Sequence, residues 1–111
     1  MRVKKQYNLG PDPLQTKVIP IGNWDMDATP SVSIAHGLTL ANIRKVFVGI
    51  INDAGTAVYP ICYAATLPNA EGCVYVDGTN VVMTRRGAGF FDHVDFDTAV
   101  YNRGFITVEY K

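Results

Sequence analysis

The sequence has little of what chemistry in a small protein usually needs. It holds two cysteines, two histidines and one tryptophan in 111 residues. Two cysteines are too few for a disulfide scaffold, and no second Cys or His pair stands at zinc-ligand spacing. There is no G-x-S-x-G, no H-E-x-x-H and no phosphate loop. Of the remaining enzyme candidates, His36 ends a strand next to Gly37, where a hydrogen-bonded structural histidine is the commoner outcome. His93 lies among Asp92, Asp95 and Asp97 with no nucleophile to serve. The expectation is a protein that is not an enzyme. It needs no cofactor and no metal, since the acids Asp25 and Asp27 lack the Gly and distal Glu of a calcium loop and read as turn formers.

Net charge is zero, and cations gather only at Met1 to Lys5 and at Arg85–Arg86. That excludes a phosphate-neutralising face, so nucleic acid is not an expected partner, while near-zero charge favours association. The basic start has no apolar run behind it and no other stretch spans a bilayer, so neither a secretory signal nor membrane insertion is expected.

What is present is alternation. Ser31 to His36 and Lys45 to Ile51 read as two strands joined by HGLTLAN, a connection too long for a tight hairpin and suited to crossing between two sheets. In the second run Val46, Val48 and Ile50 share one face, and Phe47, Gly49 and Ile51 the other. Both faces are apolar. Such a strand lies inside a sandwich or under a neighbouring subunit.

Val18 to Ile21 reads as a first strand that Pro20 confines to an edge, and Ala57 to Tyr63 as another edge strand through Pro60. Asn52 to Thr56 supplies a turn with Gly55 at positive φ, and Asp77-Gly78-Thr79 a second turn between Cys73–Val76 and Asn80–Arg85. Phe90 to Asp97 suits a loop or a single helical turn. Gly104 to Tyr110 alternates through Phe105, Thr107 and Glu109 against Ile106, Val108 and Tyr110. Cys62 and Cys73 fall at facing ends of neighbouring strands, where a disulfide is geometrically feasible and two small buried thiols are the commoner arrangement.

The pattern predicts one all-β domain, an antiparallel β-sandwich of about six to seven strands over residues 18–111. Residues 1–17, with Gly10, Pro11 and Pro13, form an extended N-terminal arm. Within it Tyr7, Leu9, Pro11 and Leu14 are the candidate docking residues. Trp24, Phe47, Ile51, Arg103 and Phe105 are candidates for core or subunit interface. Arg103 suits salt bridges to Asp92, Asp95 or Asp97, with a subunit contact the favoured role.

The segments GNWDMDAT (Gly22 to Thr29), SVSIAHGL (Ser31 to Leu38), IRKV (Ile43 to Val46), INDAGT (Ile51 to Thr56) and YNRGFITVEY (Tyr101 to Tyr110) carry a resemblance. Over residues 18–111 the chain resembles small β-sandwich domains of fibre and appendage proteins of tailed bacteriophages, especially crAss-like phages and others that infect Bacteroidetes. More distantly its layout is similar to H-type lectins, trimeric six-stranded sandwiches that bind sugars between subunits. None of that family's sugar-binding residues matches a position here. The resemblance implies a virion structural protein, a head fibre, tail fibre or capsid-decoration component. It implies a homo-oligomer, a trimer by preference, joined by its arm to capsid or tail components. The alternative it implies is a lectin-like module binding bacterial surface glycan, with Tyr59, Tyr63 and Tyr75 as candidate glycan contacts.

Overall fold

A computed structural model describes residues 13–64, 70–98, 100 and 102–111. Seven strands run β1 (Gln15–Pro20), β2 (Ser31–Ala35), β3 (Ile43–Ile51), β4 (Val58–Pro60), β5 (Gly72–Val76), β6 (Asn80–Arg85) and β7 (Gly104–Tyr110). They form two antiparallel sheets, one ordered β1-β7-β3-β4 and the other β2-β6-β5. The expected all-β sandwich is what the chain forms. The connection after His36 does cross between sheets, carrying the 3-10 turn Leu40–Asn42.

The core follows from period-two alternation. Val48 and Ile50 of β3, Ile106 and Val108 of β7, and Val81 and Met83 of β6 are buried between the sheets with Trp24, Met26, Phe91 and Phe96. The first strand starts at Gln15, earlier than the expected Val18, because Gln15, Thr16 and Lys17 pair with Tyr110, Glu109 and Val108 of β7. An edge strand needs no apolar start to be held by its ladder. The fourth strand is shorter than expected, three residues ending at Pro60, and the chain turns at Ile61 and Cys62. Both prolines sit on edge strands, where a missing N–H costs least.

Turn chemistry divides. Gly55 has φ +68° as the turn after β3 requires, and the Asn52 side chain accepts from the N–H groups of Thr56 and Ala57. The turn after β5 rests on Asp77, whose carboxylate accepts from Thr79 and Asn80 N–H. Gly78 is not among the glycines at positive φ. Those two hydrogen bonds, the Asn80 one first, hold the Asp77 carboxyl below its ordinary range.

Gly104 is required by a close approach. A Cβ there would run into the carbonyl oxygen of Gly49 on the neighbouring strand.

Candidate functional site

Arg103 is the most heavily engaged polar side chain of the fold. Residues 102–103 are held by neighbouring backbone on both sides, with Arg103 N–H donating to Gly22 O (2.8 Å) and Ile51 N–H donating to Arg103 O (2.7 Å). Asn102 Oδ1 accepts from Gly22 N–H at 2.7 Å. That aims a guanidinium only 2% exposed into the end of the sandwich. Nε donates to Trp24 O (2.9 Å), Nη1 to Ile51 O (2.8 Å), and Nη2 to Thr98 O (2.7 Å) and Asp53 Oδ1 (2.8 Å). The guanidinium also lies 5.8 Å from the centroid of the Phe96 ring.

This corrects the sequence expectation in two respects. The ion-pair partner is Asp53, not Asp92, Asp95 or Asp97. Arg103 lies inside its own chain and makes no surface for a subunit contact. It does pin the loop as expected, because Asp53 passes the connection on, accepting from the N–H groups of Asp97 and Thr98. Burial pushes the Asp53 carboxyl up, but the hydrogen bonds from Arg103, Thr98 and Asp97 outweigh it and hold the group below its ordinary value. Asp97 moves the opposite way, raised first by its contact with Asp53.

The other acids of that loop go elsewhere. Asp92 accepts from Ala88 N–H (2.8 Å) and stands 3.5 Å from Arg85, which together keep it ionised below the usual range. Asp95 is exposed. His93, also exposed, caps the 3-10 turn Val94–Phe96 through Nδ1, which accepts from Asp95 N–H. No group of three or more His, Cys, Asp or Glu gathers as a metal site among the described residues. A hollow of about 340 Å³ is lined by Ile51, Asn52, Asp53, Ala54, Gly55, Asn102 and Arg103, and its charged groups are already spent on one another.

Two further buried polar groups serve the fold. His36 takes Leu38 N–H at Nδ1 (3.0 Å) and meets Asp77 O from Nε2 (2.9 Å), as a structural histidine does. Glu71 was not foreseen. Its carboxylate accepts from Phe90 N–H (2.7 Å) and from Arg86 (3.1 Å), and both hold it below its ordinary range. It sits at the end of a loop with no periodicity, and only the Arg85–Arg86 pair hinted that an acid had to answer it.

Cys62 and Cys73 are unpaired and exposed, so they form neither the disulfide nor the buried thiol pair. Tyr59 and Tyr63 pack with Phe90 at ring separations of 4.9 and 5.0 Å, and Tyr59 also meets Phe91 and Phe96. These two rings close the core, while Tyr75 is displayed on the outer face of the three-stranded sheet. Trp24 is core, its Nε1 donating to Thr29 O. Leu14 is exposed just before β1. The candidate arm residues Tyr7, Leu9 and Pro11 lie outside the described residues.

The outer face of the four-stranded sheet remains. Each strand presents one large apolar side chain to solvent: Val18 (57% exposed), Phe105 (45%), Phe47 (49%) and Val58 (64%). The ladder registers arrange the face in rows. Thr16, Glu109 and Lys45 form one; Val18, Thr107 and Phe47 the next; Pro20, Phe105, Gly49 and Pro60 the third; Ile51 and Val58 the last. The apolar rows are continuous, since a Cβ at Gly49 would meet Val58 Cγ1 at 3.0 Å and the Phe47 ring at 3.4 Å. Of the residues expected at a core or interface, Phe47 and Phe105 lie exposed here, Ile51 is half-buried, and Trp24 and Arg103 are interior.

Compared with protein-family models, curated proteins and solved structures, the chain matches none.

Proposed function

We propose that the chain is a structural component of a tailed-bacteriophage particle, a head fibre, tail fibre or decoration module, working as a homo-oligomer and performing no catalytic step. Residues before β1 join it to capsid or tail proteins, and the sandwich is the displayed part. One observation carries the assembly role: four large apolar side chains stand in water on a single sheet face. Surfaces of that kind are covered by partners in working proteins. A catalytic role has little to build on, because His36, Glu71 and Arg103 spend their polar atoms on the fold itself. The phage context comes from the resemblance over residues 18–111. A lectin-like role would keep Tyr75 as its one displayed ring among the three candidate tyrosines.

Deleting residues 1–12 tests the proposal. The cut spares Gln15 to Lys17, which belong to β1, so the far-ultraviolet circular dichroism of the sandwich is expected to stay unchanged while incorporation into particles is lost. Incorporation of the truncated chain at the parental level would refute the anchor. Absence of the full chain from purified particles would refute the virion role.

A further inference from the structure

We propose that the outer face of the four-stranded sheet binds a second copy of this chain about a two-fold axis running along the strands, between β7 and β3. The inference rests on the homo-oligomeric part of the function proposed above and names the surface and its geometry.

The face is complementary to itself across its own midline. Sheet order places β7 and β3 in the middle, with β1 and β4 outside them. Glu109 on β7 is the register partner of Lys45 on β3, Thr107 of Phe47, and Phe105 of Gly49. In the first three rows the residue on one side of the midline is the opposite of its neighbour, anion beside cation or large beside small, and the fourth row, Ile51 with Val58, lies on the β3 side alone. A two-fold axis along that midline brings β7 of one copy over the partner's β3. Glu109 then faces the partner's Lys45, Phe105 the partner's Gly49, and both pairs occur twice.

An isologous contact has to be self-complementary in this way. A copy reversed end for end would put Lys45 over the partner's Ile51 and leave its charge unmatched. In the parallel arrangement β1 of both copies starts from the same end.

Size sets the strength. Twelve outward positions, each occupying ~4.8 Å across the strands and ~6.8 Å along them, give a footprint of about 400 Å² per copy. That is half of the ~800 Å² per partner of a standard stable interface. Pairing in free solution is therefore concentration-dependent, and attachment of several copies to one particle raises the effective concentration.

The charge row provides the test. Full-length Lys45→Glu and Glu109→Lys variants are each measured by sedimentation velocity over a concentration series, alone and as an equimolar mixture. Each variant alone sets like charges against each other and is expected to self-associate about tenfold more weakly than the parent. The mixture restores opposite charges at both contacts, and its association is expected to return to the parental level. A mixture no better than the separate variants overturns the parallel two-fold arrangement. A parent chain that stays monomeric up to ~100 μM, against the micromolar range of weak specific complexes, overturns the pairing, as does a trimer.

Two controls fix the face. Phe47→Lys is expected to abolish pairing and Tyr75→Lys, on the other sheet, to leave it intact; the reverse result moves the contact and overturns the proposal. A monomeric parent that is nonetheless found on particles defeats this inference while leaving the virion role standing.

Discussion

On the outer face of the three-stranded sheet, Ser31, Ser33 and Ala35 of β2 stand beside Asn80, Val82 and Thr84 of β6, and Val82 is already buried. On the outer face of the four-stranded sheet the central positions hold Phe47 and Phe105, flanked by Val18 and Val58, and all four are exposed. Both faces are products of the same alternation, and both lie over the same core. On β2 and β6 the first is finished with small and polar residues, as a face that meets water should be, and Tyr75 of β5 is its one large exposed side chain among the described residues. The other carries four exposed apolar side chains, one on each strand. The contrast within one sandwich supports the contact proposed for the four-stranded face.

That comparison holds only if both faces ride on one rigid interior, which the largest expected effect examines. Arg103→Met fills similar space but strands Asp53 and three backbone carbonyls without their donor. Breaking a buried pair in this manner costs about 3–5 kcal/mol, a large share of the ~5–15 kcal/mol that holds a domain together. Urea denaturation should show the loss. A variant as stable as the parent would mean the loops at that end move independently of the sheets.

Adjacent faces of β3 give a sharper contrast. Ile50→Ala removes a fully buried side chain and is expected to cost about 2–5 kcal/mol. Phe47→Ser, three positions earlier on the opposite face, should change the stability of the dilute chain by no more than ~0.5 kcal/mol. Equal losses from the two substitutions would show that Phe47 is already covered by its own chain.

The smallest effect is in pH. Asp53, Glu71, Asp77 and Asp92 are all held below their ordinary values in the folded chain. Around those ordinary values, 3.8 for an aspartate, the unfolded chain binds protons that the folded chain does not. Stability from these groups is thus present above that pH and drains away as pH falls through the lower folded values. Asp27 and Asp97 are raised and work in the opposite sense, gaining stability for the fold as they protonate. The urea midpoint should stay level near pH 5 and then drop in more acid solution, and Asp53→Asn should flatten the drop. An unchanged acid limb in Asp53→Asn would remove Asp53 from the account.

The strands were legible wherever one face is buried and the other is not. β3 and β7 show this best, because alternation leaves a mark in sequence that no neighbour is needed to read. β1 was legible only from Val18 onward, since Gln15 to Lys17 owe their place to pairing with β7 and carry no pattern of their own. The partner of Arg103 was not legible at all. Asp53 lies on a different turn, and the sequence offered nearer acids that the fold sends elsewhere. Glu71 escaped for the same reason, as its partners are a backbone N–H at Phe90 and the side chain of Arg86, just past the end of β6. The apolar outer side of β3 was visible, and the structure adds that three neighbouring strands extend it into a surface.

Because β7 lies between β1 and β3, the strand latest in sequence is the keystone of its sheet. Gln15 waits for Tyr110, so synthesis must pass β7 before β1 finds its neighbour. β2, β5 and β6 can join sooner. Until β7 emerges, a nascent chain holds β1 without a ladder and β3 paired on its β4 side alone, open edges at which crowded sister chains tangle or meet a chaperone.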